Sequence, residues 1–144
     1  MIDPSEKDIG IPVHLKAPEA HVDVRPHPHI GLSTLTYLFE GSLLHRDSLG
    51  TVKEILPGEV NWMTAGKGIS HSERETSEKR THDRELHGLQ FWVALPKESE
   101  DQDPSFYHYA KTDIPRYKSE AAQVEIVAGK FFGFISPLKS QFGF

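Results

Sequence analysis

Short runs of β-branched and aromatic residues alternate with turn residues along most of the chain, and no segment sustains a helical period. Leu32 to Phe39 is the strongest such run, and its alternation puts Leu35, Tyr37 and Phe39 on one face of a strand. Glu40-Gly41 reads as a tight turn, with Ser42 to Arg46 returning as the partner strand. Asp47-Ser48-Leu49-Gly50 forms a second turn, and a third strand runs from Val52 to Leu56. At Pro57-Gly58 proline presets φ and glycine accepts the left-handed position that follows, which predicts a type II turn before Val60 to Met63 resumes the sheet. The almost wholly polar stretch from Arg74 to His87 reads as a mobile surface loop. Leu89, Phe91, Val93 and Leu95 then alternate on one face of a strand that Pro96 closes. An aromatic patch (Phe106, Tyr107, Tyr109) and a last hairpin around Val124 to Phe132 follow. Six or more short strands at regular spacing predict a single all-β domain, either a barrel or a double-sheet jelly roll. The stretch before it, residues 1–20, holds Pro4, Gly10, Pro12 and Pro18 and reads as an extended arm or edge strand.

Composition narrows the function classes. A length of 144 residues suits one ordinary domain. The charge of 16 − 21 = −5, with basic residues scattered along the chain, disfavours a nucleic-acid groove. No apolar run approaches the ~20 residues that cross a bilayer, and Met1 to Lys7 has no secretory pattern, so a soluble cytoplasmic protein is expected. With no cysteine, disulfides, thiolate zinc sites, iron–sulfur clusters and thiol nucleophiles are all excluded, and any metal must be held by nitrogen and oxygen. Nine histidines supply the nitrogen.

His27-Pro28-His29 sets two imidazoles at i and i+2, which leave the same face of an extended strand, and Pro28 keeps His27 extended. His71-Ser72-Glu73 repeats the spacing with a carboxylate in second place. Brought together inside a barrel, the two pairs would make a site of three nitrogens and one oxygen. Such a set suits a first-row transition metal with positions left for water, substrate or dioxygen. Set against this, a solitary His-x-His is most often surface decoration; it is the second pair that favours the metal. His45, His82, His87 and His108 lack partners at ligand spacing and read as solvated or hydrogen-bonded. Trp62, Phe91 and Trp92 read as core rather than as cofactor platforms, and any of them that face the metal would shape an apolar pocket for an aromatic substrate. Thr64 to Gly68 around Lys67 lacks the order of a phosphate loop and reads as a connector, and Ser70 and Ser72 lack the elbow and acid of a hydrolase.

The stretch Arg25-Pro26-His27-Pro28-His29, then Thr36 to Gly41, His45 to Gly50, Pro57-Gly58, Asn61 to Glu73 and Gly88 to Val93 resembles the amino-terminal domain of the pirin family, over roughly Arg25 to Leu95. The resemblance implies a cupin-type β-barrel holding one metal through three histidines and one glutamate, which fall here on His27, His29, His71 and Glu73. It implies a divalent transition metal, iron(II) foremost, with nickel, copper, cobalt, manganese or zinc as alternatives. Several bacterial relatives open flavonols such as quercetin with dioxygen, which makes a metal-dependent dioxygenase with a small aromatic substrate the expected function and Glu73 the expected proton acceptor. Other relatives act as regulators through protein partners, so a non-enzymatic, redox-sensing metal protein is the rival. Pirins commonly carry two cupin domains. The expected division is an arm over 1–20, a barrel over 21–135 and a tail over 136–144 where the second domain would begin. The apolar face left by that absence, including Phe131, Phe132, Phe134, Phe142 and Phe144, is expected to be covered by a second copy or a partner chain.

Overall fold

The computed structural model describes residues 13–17 and 19–140. Its main strands are β1 (Val13–Leu15), β2 (Asp23–His29), β3 (Leu32–Glu40), β4 (Leu43–Asp47), β5 (Val52–Ile55), β6 (Val60–Thr64), β7 (Ile69–Arg74), β8 (Arg84–Ala94) and β9 (Ser105–Tyr109). They form a five-stranded antiparallel sheet in the order β1-β8-β3-β6-β9 and a four-stranded one in the order β2-β7-β4-β5. Successive strands repeatedly switch sheet, so the sandwich is a jelly roll rather than a chain of neighbouring hairpins. Two 3₁₀ turns, Lys79–Thr81 and Lys97–Ser99, are the helical elements among the described residues, and no helix there is long and apolar enough to cross a membrane.

The expected hairpin after Glu40 is not formed. Gly41, at φ +80°, turns the chain out of β3 and into the other sheet, where β4 pairs with β5 and β7. A side chain at Gly41 would meet the Glu85 carbonyl at 2.6 Å, so the crossing is tight enough to demand glycine. The turn at Pro57-Gly58 is as expected, with Gly58 at φ +83° and the Glu59 N–H donating to the Leu56 carbonyl at 3.1 Å.

Two further expectations are corrected. The polar stretch from Arg74 to His87 is not one surface loop: β7 extends to Arg74 and β8 begins at Arg84. The connection is tied down by buried Glu75, whose carboxylate accepts from Arg84 Nη2 at 2.6 Å, Arg84 Nε at 2.8 Å and the Val22 N–H at 2.8 Å. A polar sequence hides this anchor because the buried group is itself a carboxylate, stabilised by a bidentate guanidinium. In the carboxyl-terminal region two hairpins stand where one was expected: β10 (Arg116–Lys118) pairs with β11 (Gln123–Glu125), and β12 (Lys130–Phe131) with β13 (Phe134–Ile135). Of the arm, β1 pairs with β8 at the edge of the larger sheet; residues 1–12, Pro18, Phe142 and Phe144 lie outside the described residues.

The apolar alternation of β3 and β6 builds the main core on the outer side of the larger sheet. Leu35, Tyr37, Val60, Trp62 and Tyr109 bury against Ile114, with Val93, Val127, Ala128 and Leu138 packed around them. Trp62, at 1% exposure, makes the largest contribution, and truncation to alanine would cost about 3–5 kcal/mol. The opposite side of the same sheet, facing the smaller one, carries Thr36, Asn61, Met63 and Gln90, and this mixed, polar interior holds the functional groups.

Candidate metal centre

β7 lies between β2 and β4, and its register sets the site. His71 stands opposite His27 of β2 and opposite Asp47 of β4, while Glu73 stands opposite Val24 and His45. Three adjacent strands therefore each present two polar groups at i, i+2 spacing toward the interior: His27 and His29, His71 and Glu73, His45 and Asp47.

β2 is the edge strand of its sheet, a position that tolerates Pro26 and Pro28. Between Val24 and His27 the register shifts, with three residues of β2 spanning two of β7. Plain alternation from His27 would aim Arg25 at the interior beside Glu73. The bulge instead leaves the Arg25 side chain 86% exposed and frees Asp23 to pair with Arg74 and Arg80 on the outer face. The site thereby keeps a fixed positive charge out.

Ring centroids of His27, His29 and His71 lie 4.5 to 5.0 Å apart. Their ligand atoms all fall within 4.8 Å of one another, and so do those of His45, His71 and Glu73, with His71 common to both groups. The sequence-predicted residues thus meet in one place, but the carboxylate of Glu73 is grouped with His71 and His45 rather than with His27 and His29. His45 is the residue that sequence reasoning missed, although His45-Arg46-Asp47 has the same spacing as the two pairs that were singled out. Its ring is buried, stacks on Phe106 at 4.5 Å, and donates from Nε2 to Asp47 Oδ2 at 3.0 Å. Asp47 Oδ1 in turn accepts from the Leu49 and Thr51 N–H groups. His82 and His108 are hydrogen-bonded as expected, to Thr81 and to Asn61.

The protonation states suit a cation. Burial pushes His71 down to about 3, with the neighbouring His27, His45 and His29 adding like-charge repulsion, and burial followed by His27 also lowers His29. His27 donates from Nδ1 to the Arg25 carbonyl at 2.8 Å, which leaves its Nε2 as a lone pair. His29 Nε2 and both ring nitrogens of His71 are buried without a hydrogen-bond partner. Buried polar atoms are ordinarily satisfied, so three orphaned nitrogens in one cluster fit a bound metal ion. The donor set, imidazole with carboxylate and no sulfur, matches first-row transition metals.

The larger sheet supports the cluster from across the sandwich. Gln90 Nε2 donates to both Glu73 oxygens at 2.9 and 2.8 Å, and the Thr36 hydroxyl donates to Glu73 Oε1 at 3.2 Å. Gln90 Oε1 accepts from Trp92 Nε1 at 3.4 Å. Trp92 and Phe91 are not core, as expected from sequence, but 65% and 50% exposed, on opposite faces of β8. A separate depression of about 440 Å³, lined in part by Tyr37, Phe39 and Phe91, lies on the outer face, away from the histidines.

The chain is 55% identical over 112 residues to a pirin-like protein of Caulobacter vibrioides, covering 77% of this chain and 38% of that one. A crystal structure titled quercetin 2,3-dioxygenase from Acinetobacter baumannii superposes with a TM-score of 0.81 at 38% identity, covering 91% of this chain and 42% of that one. The bacterial pirin YhhW from Escherichia coli, solved in complex with nickel(II), matches at 30% identity and a TM-score of 0.53, over 69% of this chain and 42% of that one. The chain thus spans less than half the length of these relatives. The fold is a cupin-type sandwich, the profile of the family described as Pirin matches residues 5–93, and the chain belongs to that family.

Proposed function

We propose that this chain is the metal-binding domain of a dioxygenase that opens flavonol-type substrates such as quercetin, with His27, His29 and His71 as nitrogen ligands and Glu73 as the oxygen ligand. The observation that carries this reading is the set of buried, unpartnered nitrogens on His29 and His71 beside a carboxylate already held by Gln90 and Thr36. A divalent transition metal, iron(II) foremost, would lower the pKa of a bound hydroxyl and supply one-electron chemistry toward dioxygen. Glu73 accepts the proton of the substrate hydroxyl, which its position beside the histidines allows. Gln90 and Thr36 hold the carboxylate oxygens during that transfer, and the buried walls around His71 and His45 limit the access of water. The relative titled quercetin 2,3-dioxygenase supports the substrate class.

Elemental analysis of the purified chain, followed by aerobic quercetin consumption on metal-reconstituted protein, tests the reading. Stoichiometric metal with turnover is expected; a fully loaded, inert chain would favour the regulatory alternative. The exposure of Phe132 at 76%, with Phe131 and Phe134 beside it, supports self-association through the β12–β13 hairpin, and light scattering should report a species larger than the 16.3 kDa chain.

A further inference from the structure

Trp92 is the large aromatic on the interior-facing side of β8, two residues beyond Gln90, yet 65% of it is open to solvent. It is nonetheless held in place on two sides. Its indole N–H donates inward to Gln90 Oε1 at 3.4 Å, and its ring meets His29 edge-on, with centroids 5.1 Å apart and planes at 76°. A tryptophan left this exposed forgoes most of the stabilisation that burial of a large apolar side chain supplies, so its position is not explained by packing. What it offers is a rigid aromatic surface at the rim of a cluster of three histidines, one hydrogen bond away from the group that holds Glu73.

We propose that Trp92 is a specificity-determining residue, the platform on which a planar aromatic ring stacks so that the ring's hydroxyl points at His27, His29 and His71. The inference rests on the dioxygenase reading only for the choice of flavonol as the ring. Stacking on an aromatic side chain tolerates many substituents, because every planar ring has a π-face, whereas the histidine cluster beneath requires an oxygen donor. Selection is therefore divided: Trp92 selects for flatness, and the cluster selects for a hydroxyl. The tether to Gln90 also means that ligand seated on the indole rests on the same hydrogen-bonded chain that fixes Glu73.

The test uses zinc-loaded protein, in which no turnover complicates binding. Of the chain's two tryptophans, Trp62 is 1% exposed and Trp92 is not, so quercetin seated on Trp92 should quench the solvent-exposed part of the emission. Calorimetry should show Trp92→Leu raising the quercetin Kd by about 10-fold or more, with Trp92→Phe within about 3-fold of wild type and zinc stoichiometry unchanged in both. If Trp92→Leu binds as tightly as wild type, the proposal is overturned. If quercetin does not bind the wild-type protein, the dioxygenase reading fails, and the same titration with 2-naphthol decides the platform: Trp92-dependent binding sustains it and absence of binding overturns it. If quercetin binds through Trp92 but the iron-loaded protein does not consume it in air, the platform stands and the dioxygenase reading falls.

Discussion

His27 and His71 face each other directly across the ladder between β2 and β7, with ring centroids 4.5 Å apart. Two imidazoles so close cannot both carry a proton without repulsion, and burial together with the neighbouring rings keeps His71 neutral. A cation held between them would draw on a ring nitrogen from each.

Metal should accordingly stabilise the fold. At nickel(II) or iron(II) concentrations about 100 times Kd the gain is about 2.7 kcal/mol, which raises the thermal midpoint by several degrees in a domain of this size. His71→Ala removes the ligand common to both donor groups and should abolish the metal-dependent shift. A melt of the variant that still rises with metal would show that other residues hold the ion.

Glu73→Gln separates ligand from base. The amide keeps a carbonyl oxygen but loses the charge and the ability to take a proton. Metal content should be largely retained while turnover falls by about 10² to 10⁴. Wild-type turnover in the loaded variant would limit Glu73 to anchoring.

Gln90→Leu strips the amide that donates to both oxygens of the buried Glu73 and leaves the Thr36 hydroxyl as the remaining donor from β3 and β8. The metal-free protein should lose about 1–3 kcal/mol in urea unfolding, the cost of a buried polar group deprived of a partner. Added metal should recover part of that loss by giving the carboxylate a new partner, so the destabilisation should be smaller in loaded protein than in stripped protein.

Acid sensitivity should pass in part through Glu125. Burial works to raise its carboxyl, but hydrogen bonds from Tyr37 and Arg116 outweigh that and hold it below the ordinary glutamate range. A carboxylate lowered on folding contributes stability that is present above the unfolded value and lost as pH falls through the folded one. Tyr37→Phe should therefore cost about 0.5–1.5 kcal/mol at pH 7 and progressively less as the pH falls through the folded value of Glu125, read from unfolding midpoints along an acid series.

The β character, the strand positions around the site and the two i, i+2 pairs were legible because spacing within a strand is local information. Which strands become neighbours is not. In sequence His45 has no partner at ligand spacing, yet β4 and β7 place it opposite Glu73, a relationship that exists only once the chain has crossed between sheets at Gly41. The apolar rows of β3 and β8 were equally visible, but alternation does not say which face is inner. They point toward Ile114 and Val127, and the interior is the face bearing Thr36 and Gln90. Trp92 reads as core in sequence because tryptophan is usually well buried; its exposure follows from standing at the rim of a polar interior.

The bulge in β2 turns strand register into a control on local electrostatics. Were β2 to lose the bulge while keeping all its residues and holding His27 opposite His71, plain alternation would swing Arg25 inward and seat a guanidinium beside Glu73. An internal salt bridge would then stand where an ion is to be bound, neutralising the carboxylate and repelling the incoming charge. A chain with every histidine intact would lose its affinity for metal through a change of parity.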